Sequence, residues 1–278
     1  MCGIVAGVAG RDVVPVLLQG LKRLEYRGYD SCGVAVVHEG KIERARSVAR
    51  VKDLAEQVRA EGMTGCTGIA HTRWATHGGP VVANAHPHIA GRVALVHNGI
   101  IENFAELRDE LVATGITMQS QTDTEVLAHL VNFYLEDDLL EALKKALARV
   151  TGAYAVAVVD QRHPGRIVGA RQGSPMVVGL GEGENYIASD AMALVGVTDR
   201  IVYLEDGDLV SMTKDECRLF ERTGRETWQS VERKAVIVQA YAGAAELGPY
   251  RHYMQKEIFE QPRAIADTLE GVQGITST

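Results

Sequence analysis

The sequence predicts an α+β domain built of packed layers. Three observations carry this. Strand-like apolar runs come first, helical periodicity dominates the middle, and from Tyr154 onward the apolar period drops to two. Strands, then helices, then strands argue against alternating βαβ units. Nothing repeats internally and no stretch is of low complexity.

The elements follow in order. Ile4–Val8 reads as a buried strand. Asp12 is placed to cap a helix that tolerates Pro15 in its first turn, with Val14, Leu17, Leu18, Leu21 and Leu24 on one face. Tyr26 to Ser31 is a polar loop. Val34–Val37 and Lys41–Ala45 form a hairpin around Glu39-Gly40, and Val51–Glu61 a helix ended by Gly62. Thr67–Thr72 is a strand running into Arg73-Trp74-Ala75-Thr76-His77-Gly78-Gly79-Pro80, a glycine-bounded loop. Val93–Val96 is a buried strand leading to His97-Asn98-Gly99. Helices follow from Asn103 to Thr114, from the capping-box string Thr122-Asp123-Thr124-Glu125 to Glu136, and from Leu139 to Val150. Short strands then run over Tyr154–Val159, Ile167–Arg171, Met176–Gly179, Tyr186–Ala188, Ile201–Leu204, Leu209–Met212 and Cys217–Phe220, with Asp206-Gly207-Asp208 as a hairpin signal. The compact domain is expected over residues 2–222. A linker and helical tail interrupted by Pro262 is expected over 223–278.

Composition narrows the function. The chain has 278 residues, 46% apolar and 23% charged, enough for a sizeable core. A formal net charge of −7 argues against a nucleic-acid partner. No apolar run is long enough for a membrane span and no signal peptide opens the chain, so neither membrane nor export is expected. Four scattered cysteines, with no C-x-x-C pair, read as reduced thiols of a cytoplasmic protein.

Several residues carry chemistry. Cys2 directly follows Met1; once Met1 is removed, thiol and α-amine share one residue, a nucleophile with its own base. Read alone, Cys2 is more simply a small residue leading into a strand. Arg73, Thr76 and His77 crowd one loop and suit a carboxylate, with Trp74 able to close over an apolar stem; a solvated loop is the alternative. Asn98-Gly99 is either a tight turn or an oxyanion hole. Asp123 either binds an ammonium group or favours a helix N-terminus. The spacing of His71, His77, His86, His88 and His97 fits no zinc pattern, and no metal is expected.

These strings resemble the class II, N-terminal-nucleophile glutamine amidotransferases. The matching stretches are Met1-Cys2-Gly3-Ile4-Val5, Leu24 to Ser31, Gly68 to Gly78, Asn84-Ala85-His86-Pro87-His88, His97 to Asn103, Thr122 to Glu125 and Ser189-Asp190. The tail from Tyr250 to Pro262 resembles the segment that joins the two halves of the family's branch acting on fructose 6-phosphate. The resemblance implies a four-layer αββα sandwich of antiparallel sheets. It implies L-glutamine as substrate, Cys2 as nucleophile, and Asn98 with the Gly99 N–H as oxyanion hole. Arg73, Thr76 and His77 would hold the substrate carboxylate, Asp123 its amine, and Trp74 would belong to a closing loop. Arg27 and His86 would order the site. No cofactor is implied. The family continues into sugar-phosphate isomerase domains that bind fructose 6-phosphate and form a homodimer, so this chain is expected to be the glutaminase half, possessing glutaminase activity only. A glutaminase half of another class II enzyme, such as the purine-pathway one using phosphoribosyl pyrophosphate, and a catalytically silent glutamine-binding module are the alternatives. Cys32, where the family often has alanine, is expected to be a small buried residue.

Overall fold

The computed structural model describes residues 2–75, 78–238 and 249–270. The chain divides into two compact units, residues 1–239 and 240–278. In the first unit, strands β1 (Gly3–Ala9), β2 (Ser31–His38), β3 (Lys41–Ser47), β4 (Thr67–Arg73), β5 (His88–Ala90), β6 (Val93–Ile101), β7 (Gly152–Asp160), β8 (Ile167–Gln172), β9 (Val177–Leu180), β10 (Glu184–Ala188), β11 (Arg200–Tyr203), β12 (Leu209–Met212), β13 (Cys217–Arg222), β14 (Trp228–Val231) and β15 (Val236–Ile237) make two sheets. One has the order β15-β11-β9-β10-β1-β4-β2-β3, the other β14-β13-β12-β8-β7-β6-β5. Every registered pair of strands is antiparallel.

Helices α1 (Val14–Leu24) and α2 (Val51–Ala60) cover the first sheet, and α3 (Phe104–Ala113), α4 (Asp123–Tyr134) and α5 (Leu139–Leu147) cover the second. This is the four-layer αββα arrangement. Three apolar clusters fill it. Ile4, Ala6 and Val8 of β1 meet Ala155, Ala157 and Val159 of β7 between the sheets. Val5 and Ala9 turn the other way, onto Leu17, Leu21 and Leu24 of α1. A strand buried on both faces needs apolar residues at successive positions, which is why β1 reads as an unbroken run.

Local chemistry explains most of the boundaries. Asp12 Oδ1 accepts the N–H groups of Val14 and Gly65, both at 3.1 Å, from just outside the start of α1. Glu39 and Gly40 carry the positive φ angles, 47° and 72°, of a tight two-residue hairpin. Thr122 caps α4 by accepting the Glu125 N–H at 3.2 Å. The Glu125 carboxylate reaches the Gln119 and Ser120 amides at 2.7 and 2.6 Å, beyond the capping residue itself.

Of the two readings of Asn98-Gly99 the turn falls away: β6 runs through it to Ile101, still in register with β7. Three expectations are corrected. Asp206-Gly207-Asp208 does not close a hairpin, because β11 and β12 lie in different sheets and the segment crosses between them. The first unit continues past residue 222, since β14 pairs with β13 and β15 pairs with β11. In the second unit, Pro262 lies inside α6 (Tyr253–Glu270) without ending it.

Candidate active site

Strand pairing assembles a site at one end of the sandwich. In the first sheet Gly3 is opposite Thr72, so Cys2 emerges beside Arg73 and Trp74. Ser31 is opposite Arg73, which brings Asp30 to the same edge. From the facing sheet β6 delivers Asn98 and Gly99, and the N-terminus of α4 delivers Asp123. Cys2, Arg73, Trp74, His86, His97, Gly99 and Asp123 line one cavity of about 280 Å³, its open mouth included. A second cavity is lined by Cys2, Arg27, Trp74, Asn98, Gly99, Ile100, Ser174 and Pro175.

The Cys2 sulfur accepts the Trp74 N–H at 3.2 Å and lies 3.5 Å from the Trp74 carbonyl oxygen. Burial pushes the Cys2 thiol up, against the pull of the Trp74 N–H, the chain's amino-terminal charge and Arg73; Asp30 adds to the rise. The resting sulfur is therefore a thiol and needs a base to become a nucleophile. Asn98 Nδ2 donates to the Cys2 carbonyl at 3.2 Å. Gly99 has φ +134°, and a Cβ there would stand 2.0 Å from the Ala153 carbonyl oxygen, so only glycine fits.

Arg73 is 3% exposed and donates to the Gly78 and Gly79 carbonyls at 3.0 and 3.3 Å, with Asp30 at 3.8 Å. Its fork is thus held by the loop that it opens. Asp30 also accepts the Ala75 N–H and donates its own N–H to the Arg73 carbonyl at 3.1 Å, tying that loop to β2. Gly28 packs directly on the Arg73–Trp74 peptide; a Cβ there would lie 3.0 Å from three of its backbone atoms. The Trp74 side chain is 54% exposed and meets Tyr29 edge-on at 6.4 Å.

Asp123 is 4% exposed. Its oxygens accept the Ile101 N–H at 2.9 Å and the Thr124 N–H at 3.0 Å, and one of them lies 4.0 Å from His97 Nδ1. Arg27 pairs with Asp190, whose other oxygen accepts the Met192 N–H at 2.8 Å. Ser189 exchanges two bonds with Ile4, both 3.0 Å, and so fixes the start of β1. His86 stacks on His71 at 4.0 Å, and its Nδ1 accepts the His97 N–H at 3.4 Å. Thr76 and His77 lie outside the described residues. Cys32 is buried on the helix side of the first sheet; burial, with Glu25 and Asp53 nearby, pushes its thiol up to about 12, which suits an inert core residue.

Cys2, Arg73, Trp74, Asn98, Gly99 and Asp123 therefore converge, with His86 lining the first cavity beside them and Arg27 the second. Asp30, His71 and Ser189 join the site without a catalytic or binding role that the sequence assigns to them. The alternation of β4 was the available signal for His71, since positions 69, 71 and 73 share one face.

Comparison with known proteins agrees with this geometry. A model described as a glutamine amidotransferase domain matches residues 71–196. The glutamine–fructose-6-phosphate aminotransferase (isomerizing) of Bordetella pertussis is 58% identical over 99% of this chain and 46% of its own length. The Escherichia coli protein of the same name is 52% identical over 98% of this chain and 44% of its own. The chain thus spans less than half the length of these relatives. Among solved structures, a Bacillus subtilis glutamine phosphoribosylpyrophosphate amidotransferase superposes with a TM-score of 0.69 at 23% identity, covering 78% of this chain and 48% of that one, a likeness of fold.

Proposed function

We propose that the chain, which matches a glutamine amidotransferase domain over residues 71–196, is the glutaminase half of a glutamine–fructose-6-phosphate aminotransferase and hydrolyses L-glutamine to glutamate and ammonia. The observation that carries this reading is one cavity lined by the Cys2 thiol, a buried arginine and a buried aspartate. An amino acid needs a cation for its carboxylate and an anion for its ammonium group, and glutamine's amide must then fall at a nucleophile. Arg73 forks onto the α-carboxylate, with Thr76 and His77 completing the cradle, and Asp123 takes the α-ammonium.

Removal of Met1 frees the Cys2 α-amine, whose ordinary pKa of ~7.7–8.0 suits a base near neutrality. The amine takes the thiol proton and the sulfur attacks the side-chain amide carbon. Asn98 Nδ2 and the Gly99 N–H hold the oxyanion. The amine returns the proton to the departing nitrogen, ammonia leaves, and water attacks the resulting thioester to release glutamate. Arg27 and His86 hold the surroundings in place. Trp74, exposed at the cavity mouth, closes over bound substrate.

The ammonia is destined for fructose 6-phosphate, which the rest of the whole protein would bind and convert to glucosamine 6-phosphate as a homodimer. Among the described residues no helix is long and apolar enough to cross a membrane. The four cysteines are free thiols, which supports a cytoplasmic site of action. Cys2→Ala tests the reading. It should abolish glutamate release while leaving the unfolding transition in place; unaltered turnover would remove Cys2 from the mechanism. A silent glutamine-binding module would show no turnover in the parent chain either.

A further inference from the structure

We propose that His71 is the positioning residue that decides which end of the Asn98 amide faces Cys2. The inference rests on the glutaminase reading and adds to it a residue that lines neither cavity at Cys2.

An asparagine amide is nearly symmetric in shape, but only its nitrogen can hold an oxyanion. Turned over, Asn98 would present an oxygen to the developing negative charge. Its orientation follows from the groups on either side. His71 Nε2 lies 2.9 Å from Asn98 Oδ1 and 3.1 Å from the His97 carbonyl oxygen. A backbone carbonyl is only ever an acceptor, so Nε2 must carry the proton. The amide end that faces Nε2–H must then be the oxygen. Across the side chain the Cys2 carbonyl, also an obligate acceptor, lies 3.2 Å from Asn98 Nδ2 and requires the nitrogen there. The reversed amide would oppose donor to donor on one side and acceptor to acceptor on the other. Each of these two lost bonds holds the reversed form down by about tenfold or more.

The ring is itself held firmly. His71 is completely buried on β4, with Ile4 of β1 and Gly33 of β2 opposite it in the sheet, and it stacks on His86 with the planes 28° apart. Among the described residues its Nδ1 has no hydrogen-bond partner. A bare lone pair there is what the Nε2–H tautomer leaves behind, whereas the other tautomer would bury an unpaired N–H. Burial holds the His71 pKa down at about 3, opposed by the bond to Asn98 and aided by His97 and Arg73, so the ring stays a single-proton donor under ordinary conditions.

A double-mutant cycle tests this on the 278-residue chain. His71→Phe keeps a ring against His86 and removes the Nε2 donor. It should lower kcat for glutamine hydrolysis by about ten- to a hundredfold with KM changed less than about twofold, because only the transition state uses the oriented nitrogen. In an Asn98→Ala background the same substitution should cost nothing further, since there is no amide left to orient. Equal losses in both backgrounds, or a loss confined to KM, would overturn the proposal. His71→Gln, which restores an N–H near the same point, should recover part of kcat. Should His71→Phe fail to fold, ¹⁵N NMR of the unaltered chain decides: a proton on Nε2 supports the assignment and a proton on Nδ1 refutes it. Alkylation by 6-diazo-5-oxo-L-norleucine separates the two levels. A parent chain labelled at Cys2 whose cycle is additive sinks only the role of His71. A parent chain that neither labels nor turns over glutamine sinks the glutaminase reading.

Discussion

Gly99→Ala is the substitution whose consequence the geometry dictates most tightly. Position 99 sits within β6 at φ +134°, a conformation that L side chains rarely adopt. A methyl group there would lie 2.0 Å from the Ala153 carbonyl oxygen and 2.7 Å from its carbon, backbone atoms of β7 that cannot swing aside. The peptide must therefore rotate, and the N–H proposed to hold the oxyanion rotates with it. Loss of one such donor lowers kcat by about a hundred- to a thousandfold, or roughly 3–4 kcal/mol of transition-state stabilisation. The displaced backbone adds a ground-state strain of about 1–3 kcal/mol to the fold. Glutamate release followed with a coupled dehydrogenase gives kcat and KM, and urea unfolding gives the stability loss on the same sample. We expect a fall in kcat of at least about a hundredfold, KM within about threefold, and a lower urea midpoint. A variant with kcat within a few-fold of the parent would refute the role of Gly99.

Other outcomes follow from the same geometry. Arg73→Lys keeps the charge but loses the fork, and should raise KM for glutamine about tenfold or more with a smaller effect on kcat; an unchanged KM in steady-state assays would remove Arg73 from substrate binding. Gly28→Ala pushes its methyl onto the Arg73–Trp74 peptide, at 3.0 Å from three backbone atoms. A shift of a few tenths of an ångström in the Trp74 N–H should slow kcat by roughly three- to tenfold, because catalysis is sensitive to sub-ångström placement. Parental kcat in that variant would show that the approach of Gly28 is not felt at Cys2. Stability should fall on mild acidification. Burial holds His71 and His88 down at about 3 and His86 well below 6.5. These rings stay neutral in the fold while the unfolded chain protonates them near 6.5. Their contribution is thus complete above that pH and is lost as pH falls toward 3, at about 1.4 kcal/mol per pH unit for each ring. Unfolding free energies from urea titrations between about pH 7 and pH 5 should drop steeply, approaching about 4 kcal/mol per pH unit; a flat profile would contradict the assignment of three neutral buried rings.

Much of the fold was legible where local chemistry decides it. The unbroken apolar run of β1, the Glu39-Gly40 hairpin and the Thr122 cap each follow from neighbouring residues. What sequence concealed was decided at a distance. Asp206-Gly207-Asp208 has the same turn chemistry whether the next strand returns to its own sheet or crosses to the other, and here it crosses. Trp228–Val231 is an edge strand with little burial, so no alternation marks it. Asn98-Gly99 reads as a turn because that pair usually makes one; pairing with β7 keeps it extended instead. Cys2, Arg73, Asn98 and Asp123 are joined into one site by the family resemblance, while read singly Asn98 and Asp123 have plain structural alternatives. Their meeting depends on the register of β1 with β4 and on the packing of two sheets, neither of which any short string contains. In the sequence His71 stands out as one of five clustered histidines and within the Gly68–Gly78 string; its bond to Asn98 depends on the packing of the two sheets.

Cys2, with its own amine freed, is the group we propose to attack glutamine. Treating the chain with 6-diazo-5-oxo-L-norleucine, digesting it and sequencing its peptides by mass spectrometry tests this most directly. We expect one covalent adduct per chain, on the sulfur of Cys2, in a peptide that begins at Cys2 without Met1, with glutamate release lost in proportion to labelling. An adduct on Cys32, Cys66 or Cys217, or full activity in a chain that retains Met1, would contradict it.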